Sequence, residues 1–228
     1  MSAMLLTVLV GNPAYAMDLH VAPARPPAVA VRRASVPTCL DNEEVLSKLS
    51  AVPVFGVANA AGQLMSTADA ESSTPVITFY LDVAEAQASL AVAAAVDPSA
   101  DLKLKIVPLG TVFAQLERGL RLQPSQAEYN GIRHGLGFDV ADASSTQLVP
   151  LYYSDELNIE GAGGEQRPFF FTADEFRAAW ATSGQIDTLP ALQLIDLRSL
   201  ASKMRHDTDF QSAVLIPSEA AVAYASGE

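Results

Sequence analysis

Cysteine and histidine are nearly missing from this 228-residue chain, which holds one cysteine, Cys39, and three histidines, His20, His134 and His206. A single cysteine cannot close an internal disulfide, so the fold must stand without that staple. No two of the histidines are three or four residues apart, so none forms a helical metal pair. Each reads as a solvated side chain or a cation near a helix C-terminus. Basic residues are also scarce: 14 Lys and Arg face 26 Asp and Glu, a formal charge of −12. Such a surface repels nucleic acid and anionic lipid. No later uncharged apolar stretch reaches the ~20 residues that a bilayer-spanning helix needs. Any membrane association is therefore expected to be peripheral.

The sequence also lacks the common signatures of catalysis. There is no Gly-x-x-x-x-Gly-Lys-Ser/Thr loop and no Gly-x-Ser-x-Gly elbow. Gly131, Gly135 and Gly137 do not make a dinucleotide fingerprint. Gly135-Leu136-Gly137-Phe138 resembles a peptide-carboxylate loop, but a lone four-residue match in a glycine-rich connector is weak and reads as a plain loop. Asp155-Glu156 and Asp174-Glu175 are paired in sequence only, and the second pair suits the first turn of a helix. No catalytic residue, metal ligand or cofactor is expected.

Half of the residues are apolar and 18% are charged, a composition suited to a packed core. A folded part of ~180 residues buries roughly 70% of its unfolded surface. The ends read differently. Residues 4–10 (MLLTVLV) are apolar and precede Ala14-Tyr15-Ala16, a short hydrophobic stretch with a small-x-small cleavage site, though no basic leader comes before it. Residues 17–40 are rich in Pro, Ala, Val and Arg, as in an organelle transit segment or a disordered linker. Residues 1–40 take three of the 14 basic and one of the 26 acidic residues, which leaves 11 and 25, or −14, on residues 41–228.

Within 41–228, a pattern is written twice, over about 50–134 and 147–227. Val52-Pro53-Val54-Phe55 recurs as Val149-Pro150-Leu151-Tyr152. The run from Pro75 through Glu85-Ala86 to Leu90 recurs from Pro168 through Glu175-Phe176 to Trp180. Leu104, Ile106, Leu109, Val112 and Leu116 match Leu192, Leu194, Leu197, Leu200 and Met204. Leu122 to Ala127 matches Leu215 to Ala220. The offsets are 97, 90, 88 and 93. Asp41 caps a helix beginning at 42, and Asp82 caps one over 83–96. Residues 76–81, apolar on both alternating faces, predict a strand covered on both sides. The expected fold is α/β, a mixed β-sheet with flanking helices in two pseudo-symmetric halves that form one compact domain.

No reactive side chain is repeated along with this apolar scaffold. Aromatics are repeated, on equivalent strands: Phe55, Phe79 and Tyr80 in one half, and Tyr152, Tyr153, Phe169, Phe170 and Phe171 in the other. Most belong to a core. An excess of them, with Phe55, Phe79, Tyr80, Tyr152, Phe170 and Phe171 as the candidates, would floor apolar clefts. Burying ~400 Å² of apolar surface there yields roughly 10 kcal/mol gross. Association costs of about 4–15 kcal/mol leave weak, reversible binding, suited to extended polypeptide.

The order of these segments resembles the 22-kDa subunit family of the chloroplast inner-envelope translocon (the Tic complex) and its cyanobacterial relatives. The resemblance is carried by Leu49-Ser50-Ala51-Val52-Pro53-Val54-Phe55-Gly56-Val57 and by Lys105-Ile106-Val107-Pro108-Leu109-Gly110-Thr111-Val112-Phe113. Val149 to Tyr152, Pro168 to Phe171 with Asp174 and Phe176, and Val214 to Glu219 complete it, over about 43–227. It implies a two-lobed, non-catalytic chaperone or docking factor for unfolded precursor proteins during protein import into plastids. The implied partners are those precursors and the outer- and inner-envelope translocon subunits, and the implied place is the envelope intermembrane space, or the periplasm of a cyanobacterium. A fixed accessory subunit of a membrane complex and a periplasmic chaperone for outer-membrane proteins are the competing roles. The signal-like start and an Ala-rich helix at 84–95 depart from the family pattern.

Overall fold

The computed structural model describes residues 40–68, 75–116, 119–135, 148–161, 164–183 and 192–227. The signal-like and transit-like segments and the connector after Gly135 lie outside the described residues. In chain order the elements begin with α1 (Asn42–Leu49), β1 (Pro53–Ala58), β2 (Thr67–Ala68), β3 (Pro75–Tyr80) and α2 (Val83–Val96). They continue through β4 (Lys103–Pro108), α3 (Leu109–Phe113), β5 (Leu120–Gln123) and α4 (Gln126–Gly135). The rest are β6 (Pro150–Tyr153), β7 (Ile159–Gly161), β8 (Gly164–Phe170), α5 (Ala173–Thr182), β9 (Gln193–Asp196), α6 (Leu197–His206), β10 (Ala213–Ile216) and α7 (Glu219–Ser226). The α/β class is as expected, with one mixed sheet per half.

Local chemistry accounts for where the helices start. Asp41 accepts from the Glu44 amide while Glu44 returns a bond to the Asp41 amide, a complete capping box for α1. Asp82, Thr172, Asp196 and Ser218 each accept from amides of the first turn of α2, α5, α6 and α7. Gly227, in the left-handed region at φ 79°, closes α7.

The two sheets share one topology. Sheet one places β1 between β3 and β4, antiparallel to both, with β5 parallel to β3 and β2 antiparallel to it. Sheet two places β6 between β8 and β9 in the same senses, with β10 parallel to β8 and β7 antiparallel to it. The registers correspond as well. Phe55 faces Tyr80 and Ile106 as Tyr152 faces Phe170 and Leu194, and Tyr80 faces Gln123 as Phe170 faces Ile216. These pairs reproduce the offsets of 97, 90, 88 and 93.

One sequence match shifts. Thr78 pairs with Arg121, and Pro168 pairs with Val214 in the equivalent position, so Pro168 corresponds to Thr78 and not to Pro75. The reason is that β8 starts early, at Gly164, because β7 turns into it as a hairpin that a glycine-rich stretch had concealed. A short 3-10 turn, Thr208–Phe210, was likewise not anticipated.

Alternation along the strands divides the apolar residues between two sides. Val54, Phe79, Leu122, Leu151, Tyr153, Phe169, Ile195 and Leu215 point into a central core that α1, α3 and α6 help to fill. Their neighbours point outward. Phe55 and Tyr80 join Ala86 and Ala221 outside sheet one, and Tyr152 and Phe170 join Phe176 and Trp180 outside sheet two.

Candidate functional site

Covering helices cross between the halves. The C-terminal α7, which follows sheet two, lies over sheet one: Ala221 packs with Phe55, and the Tyr224 ring meets Phe55 edge-on at 5.5 Å. Reciprocally α4, which follows sheet one, reaches sheet two. Its Glu128 carboxylate accepts from the Ala173 amide at 3.3 Å and from the Tyr152 hydroxyl. Burial, reinforced by Glu128, pushes the Tyr152 phenol above its usual range.

The two outer faces are filled in different ways. At the 90-residue offset, Phe176 and Trp180 of α5 correspond to Ala86 and Leu90 of α2. Phe176 and Trp180 stack at 6.2 Å and are buried, so sheet two is sealed by its own helix. Alanine cannot fill that volume on sheet one. There the missing bulk comes from Tyr224 of α7, whose counterpart in α4, at the 93-residue offset, is Gly131. Phe55 is sealed by this replacement, and the exposed apolar residues stand outside that layer. Val92 is 67% exposed, Val96 84% and Ile106 41%, and Tyr224 is also exposed. Ala84, Ala88, Ala91 and Ala95 on α2 are exposed too, so the helix shows solvent an apolar stripe without a charge. Contiguous exposed apolar surface of this kind marks an interaction site more often than solitary residues do.

The structure distributes the six expected site residues unevenly. Phe55 and Phe79 are sealed, Tyr152, Phe170 and Phe171 are buried, and only Tyr80 is half-exposed, its hydroxyl bonded to Ser89 at 3.0 Å. Phe55 and Tyr80 underlie the open face of sheet one, Tyr152 and Phe170 lie under α5, and Phe79 is in the central core. The rings lie beneath the surface because strand aromatics pair with their cross-strand neighbours and the crossing helices cover them. The exposed residues Val92, Val96, Ile106 and Tyr224 were not singled out from sequence. The signal available was the Ala-rich helix, whose solvent side carries no charge.

A second concavity, an open depression of about 420 Å³, lies where the two halves meet. Its lining is matched across the halves: Leu81-Asp82 with Phe171-Thr172, and Pro124-Ser125 with Pro217-Ser218. These pairs stand at the N-termini of α2, α5, α4 and α7. The positive ends of the helices are already answered by carboxylates. Glu85 accepts from the Gln126 amide, and Glu175 accepts from the Glu219 amide. Burial raises the Glu175 carboxyl above its usual range, with a further push from Glu128 and Asp82. One oxygen of Glu175, Oε2, is buried without a hydrogen-bond partner among the described residues.

No group of three or more Cys, His, Asp or Glu side chains among the described residues is placed to hold a metal ion. His206 is exposed and bonded to the Ser202 carbonyl at the end of α6. His20 and the His134 side chain lie outside what is described. No described helix is long and apolar enough to cross a membrane.

Two sheets of one topology, crossed covering helices and exposed apolar residues on those elements define a protein that presents a surface more than a pocket. The chain belongs to the Tic22-like family, whose model matches residues 20–225. Among solved structures it is similar to Tic22 from Plasmodium falciparum, with a TM-score of 0.66 and 17% identity, over 80% of this chain and 96% of that one. It is also similar to Anabaena Tic22, a protein of protein transport, with a TM-score of 0.63 and 19% identity, over 83% and 98% of the two chains. At these identities the likeness is one of fold. No match was found among curated proteins. Membership of the family brings a context of protein import at plastid and cyanobacterial envelopes.

Proposed function

We propose that this protein is a non-catalytic holder of unfolded precursor segments during import into plastids. It would work in the envelope intermembrane space, or in the periplasm of a cyanobacterium, beside the outer- and inner-envelope translocon subunits. The observation that carries the reading is the set of large apolar residues left exposed on the elements around sheet one: Val92 and Val96 on α2, Ile106 on β4 and Tyr224 on α7. Family membership supplies the transport context. Descent of the two halves from one ancestral unit belongs to the same proposal, supported by the shared strand order and register.

A surface of this kind suits transient work. Covering about 400 Å² of it yields roughly 10 kcal/mol before association costs of similar size. Clients would be held weakly and released without an energy source. The test uses the chain mixed with a chemically unfolded client and, separately, with a precursor bearing a photo-crosslinker. Suppressed aggregation and crosslinks to α2 or β4 are expected. Absence of both effects overturns the reading, and salt-resistant stoichiometric co-purification with translocon subunits would instead indicate a fixed accessory subunit.

A further inference from the structure

The outer strand of sheet one has an open edge. β4 pairs with β1 on one side, and among the described residues no strand pairs with it on the other. Its ladder identifies the groups on that side. The Leu109 amide donates to the Val52 carbonyl at 2.8 Å, and the register runs back from there two residues at a time. Lys103, Lys105 and Val107 therefore turn their amides and carbonyls toward β1, while Leu104 and Ile106 turn theirs outward. Pro53 facing Pro108 agrees with this, since that pair needs no donor. The amide and carbonyl of Leu104 and Ile106 have no hydrogen-bond partner among the described residues.

Side chains alternate along this edge. Leu104 and Ile106 lie on the outer face beside Phe55, and α2, which carries the exposed Val92 and Val96, leads into β4 through residues 97–102. Lys103 and Lys105 point to the opposite face and are exposed. Neither makes an ion pair among the described residues, and Lys105 bonds only the Gly62 carbonyl, at 3.0 Å. Two uncompensated cations thus stand on one strand of a chain whose formal charge is −12.

We propose that the β4 edge takes up an extended polypeptide segment as an added strand, one that alternates apolar with acidic side chains; this rests on the polypeptide-holding reading above. The outward groups of Leu104 and Ile106 pair with the backbone of the segment. Its apolar side chains lie over Ile106 and the α2 face, and its carboxylates stand opposite Lys103 and Lys105. A second copy of this chain does not fit, because β4 against β4 sets lysine beside lysine. The lysines therefore reject self-association and select the partner at the same time.

The test measures binding of two labelled ten-residue peptides, alternating Val-Glu and alternating Val-Lys, by fluorescence polarisation. The Val-Glu peptide is expected to bind at least tenfold more tightly, and Lys103→Glu with Lys105→Glu to reverse that order. Ile106→Pro removes an outward amide without touching the β1 ladder, so it should weaken Val-Glu binding at least tenfold with the melting temperature unchanged. Should that variant not fold, a Val-Glu peptide N-methylated at alternate residues decides the matter on the unaltered chain, and binding equal to that of the parent peptide overturns the proposal. Equal binding of the two peptides, or indifference to Ile106→Pro in a folded variant, also overturns it. Client aggregation is followed in parallel. Clients protected equally by chain and variant, with indifferent peptides, remove only the edge proposal, whereas no protection by the unaltered chain removes the parent reading.

Discussion

Phe55→Ala separates a sealed aromatic from a surface one. Phe55 has 0% exposure and lies under both α2 and α7. Truncating a buried phenylalanine costs about 3–5 kcal/mol, from lost transfer energy and the cavity left behind. The high end is expected here, because the small Ala86 and Ala221 that flank the ring cannot lean into the space. Against a total stability of about 5–15 kcal/mol, such a loss is severe but leaves a folded population to measure. Part of it is owed to Tyr224, whose ring meets Phe55 at 87°. An edge-to-face pair contributes about 0.5–1.5 kcal/mol beyond area burial, so a double-mutant cycle with Tyr224→Ala should return a coupling in that range. Urea unfolding of the four proteins gives the numbers, and hydrogen exchange at α7 amides should accelerate most in Phe55→Ala. A loss below about 1 kcal/mol, or a coupling of zero, would mean that α7 does not close over the ring and that the packing account of sheet one is wrong.

Other outcomes follow from equally local features. Gly110→Ala should destabilise by about 1–3 kcal/mol in urea unfolding, because an added Cβ would collide with the Leu46 carbonyl where α3 presses on α1; a neutral result would refute that close approach. Asp41→Ala removes half of a capping box and should cost about 0.5–2 kcal/mol, visible as a lower thermal midpoint. Glu175→Gln tests the carboxylate beneath α7. Its folded pKa is raised by burial above that of the unfolded chain, so the folded state holds the extra proton and stability declines as pH rises through that interval. The glutamine variant should therefore gain on the parent from pH 4 to pH 7 in urea titrations, and a pH-independent difference would contradict the assignment.

The two outer faces are filled unequally although the sheets share one strand order. Sheet two spends its aromatic volume on α5, with Phe176 fully buried and Trp180 nearly so. Sheet one carries alanine in that place and borrows one tyrosine from the far end of the chain. The apolar surface left in water stands outside that sealed layer, on the outward side of α2 and on β4 and α7.

Strand positions were largely legible from residues alone, as in the apolar run 76–81, but the order and direction of the strands in each sheet came only from the tertiary structure. Helix starts were legible for a local reason: Asp41 and Asp82 cap by bonds within three residues of themselves. The repeat offsets survive as strand registers because pairing in a sheet admits no half-steps. What the sequence could not disclose is where α4 and α7 go. Each crosses to the other half, a long-range arrangement that no local pattern records. For the same reason six aromatics looked like cleft floors, yet five of them are buried. Exposure of Val92, Val96 and Ile106 depends on what fails to cover them, and only the packed chain shows it.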